Sequence, residues 1–244
     1  KIHFSFLGLD TFLSSQRINL MSNISFLRIS AIACLITALT TLGVHFVSFP
    51  ADTFEERLAL PNNSFYIAHR WMIILHCVCV IMSMLGIALI KRKDNQGWLI
   101  FGFLFYSVFG ITEISRMMAV LHYLNPMRLA YLESADEATR QFLHLSIDNF
   151  SQVGITLFSI FALAFSIANL AYGLVFMSAP DKNRWLGYGF LYWAIIGFIA
   201  MANESWHFSL FDQWIEIHNK TFQPVFRFVL GVWLWKKSRL LFTG

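Results

Sequence analysis

Six stretches of about twenty mostly apolar residues set the terms for the rest of this chain. They cover residues 25–49, 69–90, 97–122, 149–177, 185–208 and 222–241. Each is apolar on every face, without the charged stripe of a helix on a soluble bundle. The apolar set makes up 57% of the 244 residues and Asp, Glu, Lys and Arg only 13%, whereas soluble domains carry about 25% charged residues. The expected fold is therefore all-α, a polytopic transmembrane helix bundle of six spans. A disordered chain, a solvated enzyme domain and a disulfide scaffold are excluded. The sixth stretch is the weakest, because Lys236, Lys237 and Arg239 at its end must snorkel to an interface.

The punctuation agrees. Pro50 closes the first span, Pro61-Asn62-Asn63-Ser64 precedes the second, and Lys91-Arg92-Lys93-Asp94 separates the second from the third. Pro224 sits in the first turn of the sixth, where a missing N–H costs nothing. Thr53-x-x-Glu56 predicts a short capped helix in the first loop. Ser134-x-x-Glu137 predicts that the fourth helix begins well before its apolar stretch, with Ser134 as its cap. Asn62 and Asn219 each open an N-x-S/T sequon. Residues 1–24 read as an N-terminal extension, either an interfacial helix or sequence upstream of a start at Met21. Residues 25–244 read as a single six-helix transmembrane domain.

Charge gives direction. With six spans both termini share a side. Lys1, Arg17, Arg28, Lys91, Arg92, Lys93, Lys182, Arg184, Lys236, Lys237 and Arg239 fall there, against Arg57, Arg70, Arg128, Arg140 and Lys220 opposite. Three acids lie on the first side and nine on the second. Both termini are therefore expected to be cytoplasmic, in the cell membrane. The formal charge of +4 is a topology signal, and no nucleic-acid partner is implied. Membrane lipids are the expected surroundings.

Within the spans, ionisable groups gather in one layer. Counting about 1.5 Å per residue from each span's start, Glu113, Arg116, Glu204, His207, His45, His76 and Arg227 all fall in the half away from the termini. Such groups cost a few kcal/mol each in lipid, so they normally face the bundle interior and mark a function. Glu113 and Arg116 share a helix face, as do Glu204 and His207. Glu113 or Glu204 is expected to neutralise Arg116 and Arg227. Simpler accounts stand beside this. His45, His69, His122 and His207 lie where an interface makes imidazole cheap, Trp71, Trp206 and Tyr123 fit an aromatic belt, and Glu113–Arg116 could be a purely structural pair. Ala162-x-x-x-Ser166 and Ala164-x-x-x-Ala168 suit close helix packing, with Asn169 hydrogen-bonding across helices. Cys34, Cys77 and Cys79 read as small buried residues.

Three functions fit. The first is small-molecule or lipid binding, sensing or a transport-accessory role. It uses a pocket of His76, Glu113, Arg116, Glu204, His207 and Arg227 that opens to the outer leaflet, with Arg116 and Arg227 available to an anionic head group. The second is a membrane-embedded metal enzyme, a lipid hydrolase or a haem or redox protein, with His45, His76 and His207 as metal ligands and Glu113 or Glu204 as base. Only one Glu-x-x-His is present, and a di-iron bundle needs two. The third is an assembly subunit among other membrane subunits. No cofactor is required by the sequence.

The basic stop Lys91-Arg92-Lys93, the third span's end Met117-Met118-Ala119-Val120-Leu121 and the stretch Leu170-Ala171-Tyr172-Gly173-Leu174-Val175-Phe176-Met177 also carry a resemblance. Over residues 25–205 the chain loosely resembles a family of uncharacterised bacterial polytopic membrane proteins. That resemblance implies the topology and no activity.

Overall fold

The computed structural model describes residues 7–91, 95–178, 183–206 and 209–243, with side chains over 24–91, 95–178, 183–203 and 210–240. Among the described residues every regular element is helical. The long helices are α1 (Leu7–Phe46), α3 (Ser64–Lys91), α4 (Gln96–Ala119), α6 (Glu137–Ser178), α7 (Arg184–Trp206) and α9 (Gln223–Thr243). Short helices α2 (Phe54–Ala59), α5 (Asn125–Glu133) and α8 (Asp212–Ile217) lie between them. Five segments are long and apolar enough to cross a membrane: Ile24–Phe46, Ser64–Lys91, Gln96–Glu133, Glu137–Ser178 and Arg184–Asn203. The sixth expected span, α9, is not one of them, because its last turns carry Lys236, Lys237 and Arg239.

Local chemistry fixes the helix starts. Thr53 caps α2 with the expected reciprocal box to Glu56. The backbone N–H groups of Thr53 and Asp52 hold the Glu56 carboxyl below its usual range. Asn63 caps α3, its Oδ1 accepting from the N–H groups of Phe65 at 2.9 Å and Tyr66 at 3.2 Å. For α6 the expected cap is corrected. Asp136, not Ser134, accepts from Thr139 N–H at 2.9 Å, because the carboxylate reaches the third N–H of a helix that starts at Glu137. The hydroxyl and N–H of Thr139 lower the Asp136 carboxyl's pKa.

Two helices pass through a π turn. Val120–Leu124 joins α4 to α5, and His218–Phe222 joins α8 to α9. Each ends two residues before a proline, Pro126 and Pro224. A proline inside a helix has no N–H to donate and its ring crowds the preceding turn. Widening that turn to i→i+5 bonding relieves the clash and lets the helix continue. What the sequence marks as the start of a sixth helix at Phe222 is thus the middle of a longer helical run from Asp212 to Thr243.

The six long helices form a ring in the order α9, α1, α3, α4, α6, α7. Phe190 and Trp193 of α7 close it against Phe226 of α9, at 5.3 and 5.5 Å between ring centroids. Small residues set the closest approaches. A Cβ on Gly187 would lie 3.1 Å from the backbone oxygen of Gly173, so α7 meets α6 backbone to backbone. Asn169 bridges helices as the sequence predicts: the Tyr106 hydroxyl donates to its Oδ1 at 2.7 Å. Tyr172 O–H donates to the Met84 carbonyl at 2.9 Å, tying α6 to α3. All three cysteines are buried and free.

The outside of the ring is apolar: Leu39 is 71% exposed and Ile111 61%. A surface of that kind suits lipid and not water, so the molecule is a membrane protein. The helices alternate in direction. One end of the bundle carries Lys91, Asn183 and the lysines of α9; the other carries most of the histidines. These are called the basic end and the histidine end below.

Candidate functional site

The ring is hollow toward the histidine end. A cavity of about 330 Å³ is lined from α1, α3, α4, α6, α7 and the α8–α9 run. Its two walls differ in chemistry. His45, His76, His218, Gln223 and Arg227 come from α1, α3 and the α8–α9 run. Facing them from α4 and α6 are Phe109, Phe158, Phe161 and Phe165. Phe109 packs on Phe161 at 4.5 Å and on Phe165 at 5.1 Å, an aromatic patch on a wall that also carries Glu113 and Arg116 of α4.

Arg227 is the unusual group. It is 2% exposed, and neither its Nε nor its Nη1 has a hydrogen-bond partner. Its guanidinium lies over the Trp193 ring at 4.7 Å. No carboxylate pairs with it among the described residues. The backbone beneath it is held by Cys34, whose Sγ–H donates to the Arg227 carbonyl at 3.3 Å. A cation–π contact contributes about 2 kcal/mol when desolvated. Burying a guanidinium costs several kcal/mol after relaxation. The stacking alone does not offset that cost.

Arg116 has a different fate. Its Nε and Nη2 donate to the two oxygens of Glu113 at 2.8 and 2.6 Å. This bidentate pair occupies Arg116 and leaves Arg227 without Glu113. Of the two arginines expected to face an anion, Arg116 already holds a carboxylate of its own helix.

The histidines divide as well. Nδ1 of His76 lies 2.8 Å from the Thr40 hydroxyl. The same hydroxyl lies 3.0 Å from the Ile36 carbonyl, so Thr40 ties the His76 ring to the backbone of α1. His218 is 2% exposed, stacks on Phe222 at 5.2 Å, and has no partner for either ring nitrogen. The sequence places it in a loop and leaves it out of the site. The π turn brings it in: residues 218, 223 and 227 all reach the cavity, at spacings of five and then four. Pro224, read as an interruption to be accommodated and not as a helix start, is the signal that pointed there. Asn219, expected on an outward sequon, also lines the cavity.

Of the residues predicted for the site, His45, His76, Glu113, Arg116 and Arg227 line one cavity. Glu204 lies on the backbone of α7, with its side chain outside the described residues, and His207 lies outside them entirely. Among the described residues no group of three or more His, Cys, Asp or Glu is gathered to hold a metal ion.

No protein-family model matches the chain. Neither a curated protein nor a solved structure is significantly similar to it. What the site does is therefore argued from its own chemistry.

Proposed function

We propose that this protein binds an amphiphilic organic carboxylate in the cavity at the histidine end of the ring. It acts as a binding or sensing protein, or as an accessory to transport. The observation that carries this reading is Arg227: a buried guanidinium with two unpaired nitrogen positions and no carboxylate partner among the described residues. A carboxylate hydrogen-bonded to that guanidinium removes most of the cost of burying it. His218, Gln223 and His76 supply further polar contacts, and the four phenylalanines receive an apolar body. The cavity lies at the small end of ligand pockets, which run about 300–1,000 Å³.

The finer topology belongs to this reading. Six spans place both termini on the cytoplasmic side of the cell membrane, with the histidine end outside. Supporting it are the packing of α9 along α1 and the basic residues at the end that holds Lys91, Arg184 and Lys236.

The test uses protein purified in neutral detergent. Octanoate and benzoate should raise its unfolding temperature and alter its tryptophan emission, through Trp193 beside Arg227. Citrate, a carboxylate without an apolar body, should do neither. Arg227→Gln should abolish the response. A response of equal size in Arg227→Gln would falsify the reading.

A further inference from the structure

A second cavity, of about 450 Å³, opens at the surface beside the first. Three guanidiniums converge on it: Arg57 from α2, Arg116 from α4 and Arg128 from α5. Apart from Ser151, the rest of its wall is apolar, including Ile147, Phe150 and Ile155 of α6. Arg57 is answered by Asp148 at 3.4 Å and Arg116 by Glu113 at 2.6 Å. Among the described residues Arg128 has only neutral partners, the Tyr66 hydroxyl at 3.2 Å and Asn125 Oδ1 at 3.1 Å. It is 6% exposed and its Nε is unpartnered. Among the described residues three cations and two anions leave one positive charge uncompensated.

We propose that this cavity is a separate binding site for a singly charged phosphate group. One guanidinium without a counter-ion, with two more beside it, matches a monoanionic phosphodiester in charge and in its several acceptor oxygens. The surface around the mouth suits the lipid form of that group. Ile155, in the pocket wall itself, is 45% exposed. A phospholipid thus reaches the pocket from the membrane, its phosphate among the arginines and its glycerol end against Ile147 and Ile155. The site does not use Arg227. Arg116 and Phe158 line both cavities, so an occupant here sits one side chain away from the inner site.

Gly154 supplies a clean probe. It lies in the pocket wall, and a Cβ there meets nothing within 4 Å. Gly154→Leu therefore enters the pocket from an open position on its wall, and it replaces a poor helix former with a good one. The experiment follows the unfolding temperature of the full chain in neutral detergent with phosphatidylglycerol, inorganic phosphate or diacylglycerol added. Phosphatidylglycerol should give a saturable upward shift and diacylglycerol none. A shift with phosphatidylglycerol alone assigns the site to a lipid, and a shift with inorganic phosphate as well assigns it to the phosphate group itself. Gly154→Leu and Arg128→Gln should lose the shift, while Arg227→Gln should keep it. Should Arg128→Gln fail to fold, Gly154→Leu decides. No shift with either phosphate probe overturns the proposal, as does a full shift in Gly154→Leu. Loss of the phosphatidylglycerol shift in Arg227→Gln would mean that the lipid occupies the inner cavity.

Discussion

At the scale of single residues, two arginines of similar depth have opposite circumstances. Arg116 is held in a fork by Glu113, three residues before it on the same face of α4. Arg227 is the less exposed of the two, and among the described residues it meets the face of Trp193 and no carboxylate. The first arrangement was legible in the sequence, because i,i+3 pairing depends on one helix alone. The second was not, because an absent partner is a property of every helix that faces the site. Glu113→Gln should destabilise the protein by about 2 kcal/mol, the worth of hydrogen bonds to a charged group. It should leave the carboxylate response in place, since Arg227 provides it. Chemical denaturation beside the octanoate assay separates the two readouts. Unchanged stability in Glu113→Gln would mean that the pair holds nothing together.

At the scale of elements, the instructive case is the run from Asp212 to Thr243. Pro224 has the sequence signature of a helix start, and that reading ends the helix there. The structure carries it through in a π turn, which amounts to one extra residue inserted in the turn. That residue rotates everything before it by about 100° relative to α9. His218 and Asn219 reach the cavity through this rotation. Deleting Thr221, an exposed residue of the turn, together with Pro224→Ala should restore α periodicity. The expected result is a folded protein with a largely unchanged helical circular-dichroism signal and octanoate binding weakened several-fold. If binding survives at full strength, the π turn does not build the site. The other π turn, before Pro126, has the same origin and sets the approach of α5, which carries Arg128 into the second cavity. The cap of α6 shows a smaller error of the same kind. Ser134 and Asp136 both suit a helix start, and only the backbone path decides which of them faces the free N–H groups.

At the scale of the whole molecule, the apolar exterior and the polar hollow reverse the plan of a soluble bundle. That reversal follows from the solvent. Lipid offers no hydrogen bonds, so ionisable side chains turn toward one another inside the ring. The proposed topology can be read by thiol labelling, because Cys34, Cys77 and Cys79 are buried and should remain silent. In intact cells a membrane-impermeant maleimide should label Ala135→Cys. It should label Lys237→Cys only after permeabilisation. Labelling of both sites in intact cells would place them on one side and rule out the six-span arrangement.

The sequence by itself determined the helical class, the apolar spans, the capped first loop and the layer in which ionisable residues lie. Each of these depends on hydropathy or on contacts within a few residues, and such interactions are written locally. Tertiary structure decided which members of that layer meet: that Glu113 takes Arg116, that Arg227 is left without a described carboxylate, that His218 joins it, and that Arg57 and Arg128 come together in a second pocket. Those outcomes depend on the order of helices around the ring and on the rotation of each about its axis. A single inserted residue in a turn changes that rotation, and only the packed assembly fixes it.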